Sequence, residues 1–178
     1  SSDVETTEET LARTRIIIEE ILAYNDERFK VMVAPHAPYS CSKDLLKGSL
    51  KLAQELQLKL HIHVAETQAE NGMILERYGK RPLAFLKDLG YLEHDSVFAH
   101  GVELNEREIA ELAVSNIHIA HNPISNLKLA SGIAPVTDLV QTGVIVGLAT
   151  DSVASNNNLD MFEESRTAAL LQKMRTGD

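Results

Sequence analysis

The sequence has little cysteine and no long apolar run, and each scarcity excludes a class of protein. Its 178 residues include a single cysteine, Cys41. An intrachain disulfide is therefore excluded, and we expect a reducing compartment, the cytoplasm. No apolar stretch approaches the roughly 20 residues that a membrane-spanning helix needs. We therefore predict neither a membrane protein nor a membrane partner.

Positive charge and glycine-rich phosphate loops are also scarce. The formal net charge of -9 disfavours nucleic acid, because phosphate backbones are bound by clustered Lys and Arg. No GxGxxG or Walker-type loop follows any predicted strand, which argues against a nucleotide-cofactor fold. Residues 1–3 lack the basic and apolar regions of a signal peptide, and the missing initiator Met indicates an excerpt or a processed chain. We expect a small-molecule partner.

Five short apolar runs alternate with helical patterns along the chain. The predicted strands cover about residues 30–34, 58–64, 96–100, 116–120 and 144–149. The predicted helices cover about 7–24, 43–56, 71–78, 82–89, 106–113, 136–141 and 159–174, with a long polar loop at 124–135. Their predicted caps are Thr6 or Thr7, Ser42, Asn105 with Glu108, and Asn158 at N-termini, and Gly79 and Gly90 at C-termini.

This alternation predicts an α/β fold with a parallel sheet covered by helices. A barrel of eight such units needs about 250 residues. Five units therefore form either an open sheet or part of a barrel. We see no domain boundary within residues 1–178.

Every predicted strand ends in a polar or ionisable residue. These residues are His36, His63 with Glu66, His100, His121 with Asn122, and Asp151. Loops that follow parallel strands carry the active site in both open and closed α/β folds. The agreement of five strand ends predicts a site at this edge of the sheet.

A metal ligand is the hypothesis for His63, although a lone histidine is more often a hydrogen-bonded core residue. His61 and His63 point to the same face of a strand, and His61, one layer deeper, is expected to be structural or to support a ligand. Asp151 is the predicted second ligand, with a loop-capping role as the alternative. Glu66 is placed to face a substrate over the metal, or is a solvated loop acid. His100 is the expected general base or electrostatic stabiliser.

The other candidates are weaker on sequence alone. His36 lies between two prolines, which suits either substrate contact or stabilisation of a turn. His121 and Asn122 remain ambiguous, because one of the two must face the helices. His94 and His118 carry no signal, and Cys41 is expected to be a small buried residue.

Five motifs occur in one order along the chain. They are Pro35-His36-Ala37-Pro38-Tyr39-Ser40-Cys41-Ser42; His61-Ile62-His63-Val64-Ala65-Glu66-Thr67; Ala99-His100-Gly101; His121-Asn122-Pro123 with Ser125-Asn126-Leu127-Lys128-Leu129-Ala130-Ser131-Gly132; and Thr150-Asp151-Ser152. Together they resemble the amidohydrolase superfamily, in particular its branch of 5-methylthioadenosine/S-adenosylhomocysteine deaminases and related chlorohydrolases.

The resemblance implies the carboxyl-side part, strands 4–8, of a metal-dependent (β/α)8 TIM barrel. Residues 1–178 would then be a single partial barrel domain, without the first strands and without the β-sandwich of the family. The family's His-x-His ligand pair of the first strand is also absent. With two ligands of four, we expect this chain alone to be inactive.

The resemblance also implies roles for the strand-end residues. His63 and Asp151 would bind one divalent metal, zinc with iron as the alternative. Asp151 and His100 would help to deprotonate water, and Glu66 would protonate the purine ring. Glu66, Asp151 and His36 would contact a purine nucleoside thioether.

The implied reaction is hydrolytic deamination of 5-methylthioadenosine or S-adenosylhomocysteine, with release of ammonia. Two alternatives stay open. One is another enzyme of the branch, a guanine- or cytosine-type deaminase or a chlorohydrolase. The other is a non-catalytic fragment without a complete metal site. Exposed strand edges in an incomplete barrel lead us to expect homo-oligomers.

Overall fold

The computed structural model describes residues 5–177 as a parallel sheet with helices packed on its outer face. The strands are β1 (Met32–Val33), β2 (Lys59–Val64), β3 (Ser96–His100), β4 (Ile117–His121) and β5 (Val146–Leu148). The helices are α1 (Thr7–Ala23), α2 (Lys43–Leu56), α3 (Gln68–Tyr78), α4 (Pro82–Asp88), α5 (Glu106–Ala113), α6 (Pro123–Lys128), α7 (Val136–Gln141), α8 (Val153–Asn156) and α9 (Met161–Thr176). A short 3-10 turn covers Tyr91–Glu93.

Strands that are consecutive in the chain are neighbours in the sheet. The order is β1-β2-β3-β4-β5, and all four pairings are parallel. The register aligns His63 with Ala99, Ala99 with Ala120, and Ala120 with Gly147. Aligned residues project from the same face, so three small residues share a layer with His63. This layer leaves room in front of the imidazole.

The opposite face of the sheet builds the core. In β2, Leu60, Ile62 and Val64 are at most 1% exposed, whereas the intervening His61 and His63 are half-buried. Each fully buried aliphatic side chain contributes about 1.5–3 kcal/mol of hydrophobic stabilisation. The strand therefore presents its apolar residues to the helices and its histidines to the open face, as the alternation in the sequence predicts.

Three predicted helix starts are confirmed. Thr6 and Glu9 form a reciprocal capping box at α1, and Asn105 and Glu108 form another at α5. The hydroxyl of Ser42 accepts the first-turn backbone N–H of α2. These side chains satisfy N–H groups that have no partner within the helix.

Several predicted boundaries are wrong. The first strand covers two residues instead of five, and the predicted loop at 124–135 contains α6. Pro123 occupies the first turn of α6, where its fixed φ and missing N–H fit a helix start. The short helix α8 was not predicted. Asp160, not Asn158, caps α9 by accepting backbone N–H groups at 2.8 and 3.2 Å.

Of the two predicted C-terminal caps, Gly79 is confirmed and Gly90 is wrong. Gly79 caps α3 in the left-handed conformation, with φ +68°. The cap of α4 is Leu89, and Gly90 follows it with φ +90°.

Apolar side chains stay exposed at both ends of the sheet. On α1, which packs against α2, Ile16 and Ile17 are 55% and 48% exposed. On α9, beside β5, Phe162 and Met174 are 90% and 78% exposed. Across residues 5–177, no helix combines the length and the apolar character needed to cross a membrane.

Candidate active site

The predicted site residues lie around the carboxyl ends of the strands. His63 lies near the end of β2 and His100 ends β3, while Asp151 follows β5. The backbone is left-handed at Ala65 (φ +52°), His100 (+73°) and Asp151 (+61°). This region is unfavourable for residues other than glycine, so the surrounding hydrogen bonds must hold it. Three such positions on one rim redirect side chains that strand alternation alone would send elsewhere.

His63 and His100 form the centre of the site. Nδ1 of His63 lies 2.9 Å from Nε2 of His100, and Nδ1 of His100 lies 2.8 Å from Oδ1 of Asn126. Oδ1 of Asn126 only accepts, so Nδ1–H of His100 donates to it, and the Nδ1–H of His63 can donate to Nε2 of His100. Nε2 of His63 then keeps its lone pair. His100 is 1% exposed, so its ring is fixed by packing as well as by these contacts.

The protonation of His63 suits metal binding. Burial, together with the positive charges of His100 and two further histidines, lowers its pKa to about 4, against the opposing effect of Asp151. The imidazole is therefore neutral at neutral pH. A neutral imidazole is the form that binds zinc.

Asp151 is held by two hydroxyl groups. Ser125 Oγ and Ser155 Oγ donate to its Oδ2 at 2.7 and 2.6 Å. Burial raises the pKa of Asp151, but the hydrogen bonds from Ser155, Ser125 and the backbone N–H of Ser152 outweigh this effect and keep the pKa below its ordinary value. The carboxylate is therefore ionised and oriented. The sequence pattern indicated no role for either serine, although Ser125 lies in the motif that begins at His121.

Glu66 and His36 lie at the rim of the same site. Oε2 of Glu66 lies 3.8 Å from Nε2 of His100. The His36 ring lies 5.2 Å from the His63 ring, centroid to centroid, and its Nδ1 is 2.6 Å from Ser40 Oγ. The backbone N–H of His63 donates to the His36 carbonyl at 3.0 Å. The structure thus brings Glu66, His100, His63 and His36 together, while the Ser40 contact also supports the turn-stabilising interpretation of His36.

The remaining histidines separate from this group. His61 is half-buried one layer below His63, with ring centroids 5.7 Å apart. Nε2–H of His94 donates to the carbonyl of Leu58 at 2.9 Å, just before β2 begins. His121 is buried on the helix-facing side of β4, with no partner for either ring nitrogen among the described residues.

The described residues supply only some of the ligands that a divalent metal needs. The neutral His63 and the ionised Asp151 are donors that zinc accepts. Within residues 5–177, no group of three or more His, Cys, Asp or Glu side chains is arranged to hold a metal ion. The two side chains therefore fit as two members of a larger donor set.

Comparison with known proteins decides the family. The amidohydrolase family model matches residues 3–178. The chain belongs to the amidohydrolase family. A 5-methylthioadenosine/S-adenosylhomocysteine deaminase of Thermococcus kodakarensis is 49% identical over 176 residues, which cover 99% of this chain and 42% of that protein. A Bacillus thuringiensis protein of the same name is 52% identical over 151 residues, 84% of this chain and 35% of that protein.

Solved structures of amidohydrolases share the fold. A Xanthomonas campestris adenosine deaminase with bound zinc has a TM-score of 0.90 and 38% identity, over 96% of this chain and 38% of its own. A zinc-complexed atrazine chlorohydrolase of Arthrobacter aurescens TC1 has a TM-score of 0.89 and 25% identity, over 100% of this chain and 40% of its own. These matches confirm the prediction of a partial (β/α)8 barrel. The chain spans less than half the length of these amidohydrolase relatives.

Proposed function

We propose that the intact enzyme carrying this chain is a metal-dependent deaminase of 5-methylthioadenosine and S-adenosylhomocysteine. The observation that carries the proposal is the 49% identity, over 176 residues, to a protein of that name. The rim formed by His63, His100, Glu66 and Asp151 supports it, because these groups can bind a cation and move protons.

His63 and Asp151 would hold the metal together with ligands from the rest of the enzyme. When bound, a metal in such a site would lower the pKa of a water molecule and act as a Lewis acid. Zinc, one ion per site, is supported by the zinc-containing relatives, and iron is the alternative.

The side chains of this chain would then transfer the protons. Ionised Asp151 and neighbouring His100 accept a proton from the attacking water, whose oxygen bonds to the amino-bearing carbon of adenine. Glu66 gives a proton to the adjacent ring nitrogen. The amino group then leaves as ammonia with a second proton, and the products are ammonia and the hypoxanthine ring.

The substrate would lie over the layer of small residues. Ala99, Ala120 and Gly147 leave space beside His63 for a flat heterocycle. His36, at the rim, is placed to contact the substrate, and its ring lies 5.8 Å from that of Tyr39.

Two further observations bear on the location of the enzyme in the cell and on its oligomeric state. The single cysteine, Cys41, is buried and free, which fits the reducing cytoplasm. The apolar residues exposed on α1 and α9 support homo-oligomers of the enzyme. A monomer in light scattering of the intact enzyme would contradict the oligomer.

The test is ammonia release by the intact enzyme. We expect turnover of 5-methylthioadenosine and S-adenosylhomocysteine, and none with guanine, cytosine or chlorinated triazines. Turnover of one of the latter alone would instead support another enzyme of the branch. Release from none would support a non-catalytic protein.

Substitutions locate the activity in the rim. His63→Ala and Asp151→Ala should each abolish turnover. The control is His94→Ala, which removes a contact to the Leu58 carbonyl at the amino ends of the strands, opposite the rim, and should leave turnover within about two-fold. Loss of turnover in His94→Ala alone would refute the assignment of strand ends.

A further inference from the structure

A buried carboxylate underlies the turn that carries Glu66. Glu70, in the first turn of α3, is 1% exposed. Its Oε1 accepts the backbone N–H of Ala65 at 3.1 Å, and its Oε2 accepts the backbone N–H of Glu66 at 2.8 Å. Both oxygens are thus committed to two successive N–H groups, those of Glu66 and of the residue before it.

The carbonyl side of the same turn is held from the next strand. The carbonyl of Val64 accepts the N–H of Gly101 at 3.1 Å, and the carbonyl of Ala65 accepts the N–H of Glu103 at 2.8 Å. Ala65 itself is left-handed, with φ +52°, a conformation that is unfavourable for alanine. The turn is therefore maintained from two sides, by the segment after β3 and by Glu70.

Keeping a carboxylate at this position is costly. Burial raises the pKa of Glu70 to about 7, against the opposing hydrogen bonds from the backbone of Glu66 and Ala65, and the charge of Glu66 raises it further. No cation is among the causes of this shift within the described part of the chain. The free-energy cost of burying this carboxylate must be offset by other interactions. The structure provides two, the hydrogen bonds from the backbone N–H groups of Ala65 and Glu66.

We propose that Glu70 is a positioning residue for Glu66. It fixes the left-handed turn at Ala65, so that the Glu66 carboxylate faces His100 at 3.8 Å instead of solvent. The proposal rests on the proposed function for its kinetic consequence, because Glu66 is there the proton donor to the ring. Glu70 touches neither substrate nor reacting atoms.

The kinetic test compares two leaving groups in the intact enzyme. The amino group donates electrons into the ring, so attack on the carbon that bears it depends strongly on protonation of the ring nitrogen by Glu66. Chlorine withdraws electrons and leaves as an anion, so poor placement of Glu66 should slow 5-methylthioadenosine more than its 6-chloropurine analogue. For Glu70→Gln, we expect the amino-to-chloro ratio of kcat/KM to fall at least about 10-fold. The ratio does not depend on the active fraction of the enzyme, so general damage to the fold leaves it unchanged.

A double-mutant cycle shows whether Glu70 acts through Glu66. Glu66→Gln alone should lower the same ratio, and adding Glu70→Gln should change it by less than about two-fold. Independent, multiplying effects would overturn the proposal. The control is Glu108→Gln, which removes one partner of an ion pair with Arg81. Glu108 is another buried acid that accepts a backbone N–H, that of Asn105 at 3.0 Å, and it should leave the ratio within two-fold.

Hydrogen exchange tests the turn without any assay of activity. In Glu70→Gln, the amides of Ala65 and Glu66 should exchange at least about 10-fold faster, while those in the middle of α3 keep their protection. Loss of protection throughout α3 would show a structural role only. If Glu70→Gln does not fold, Glu70→Asp replaces it in the double-mutant cycle with Glu66→Gln. Aspartate keeps the negative charge, but its side chain is shorter by one methylene group. Absence of any deamination by the wild type would refute the proposed function, while the exchange result would still decide the role of Glu70 in the turn.

Discussion

The buried imidazole of His121 should make the fold sensitive to acid, and replacing it with leucine should remove part of that sensitivity. His121 is 1% exposed, and its two ring nitrogens have no hydrogen-bond partner in the described part of the chain. Burial, with a further contribution from the charge of His100, lowers its pKa from 6.5 to about 4. Leucine fills a similar volume and has no polar atoms to bury.

The direction and size follow from proton linkage. Between pH 6.5 and 4, the unfolded chain binds more protons at His121 than the folded chain does, so the free energy of unfolding falls as the pH falls. This contribution is fully present above pH 6.5. One pKa unit corresponds to about 1.4 kcal/mol, so His121 should account for a loss of about 2 kcal/mol between pH 7.5 and 5, and about 3 kcal/mol by pH 4.

Urea unfolding followed by circular dichroism at pH 7.5 and 5, with a chelator present, measures this loss. His63 has a similarly lowered pKa, so the difference between wild type and His121→Leu is the relevant quantity. His121→Leu should lose about 2 kcal/mol less than wild type between the two pH values. His118→Leu, on the same strand with a half-buried ring, is the control and should keep the wild-type loss. If His121→Leu lost as much unfolding free energy as the wild type between pH 7.5 and 5, the conclusion that His121 is buried in its neutral form would be refuted.

Three further outcomes follow from individual contacts. Tyr91→Phe should cost about 1 kcal/mol in urea unfolding, because the buried hydroxyl donates to the Leu46 carbonyl at 2.8 Å; an unchanged midpoint would contradict that bond. Ser155→Ala should weaken zinc binding by the intact enzyme about 10-fold in chelator competition, because it removes one of the two hydroxyl groups that donate to Asp151; unchanged affinity would contradict this role of Ser155. Gly132→Ala should lower stability by about 1–3 kcal/mol, because its φ of +125° is nearly restricted to glycine and the new methyl group would lie 2.9 Å from a valine side chain; no change in thermal unfolding would contradict this.

Periodicity and capping were enough to predict the sheet and most helix starts. Alternation in β2 placed the histidines and the aliphatic residues on opposite faces, and the structure shows that arrangement. Asn105 was found because a capping box depends on residues three apart in the chain, and Thr6 was one of two candidates for the start of α1. The helix α6 was missed, although proline after Asn122 is a recognised helix-start signal, because the segment is short and polar.

The supporting residues of the site could not be found from local patterns. Ser125 on α6 and Ser155 on α8 meet at Asp151 only after these two helices pack against each other. Asn126 reaches His100 across 26 residues of sequence. Glu70 is nearer in sequence, but its role depends on the left-handed turn at Ala65, which composition does not reveal.

The consecutive strand order has a consequence for how the chain acquires its structure. Within residues 5–177, each strand pairs only with the strands just before and after it, so sheet contacts close one strand–helix segment at a time. Short loop closures cost less entropy and form faster than distant ones. During synthesis, each segment can dock on the one already made. Asp151 follows the last strand, so the histidines assemble first, and the rim is completed only when translation has passed β5.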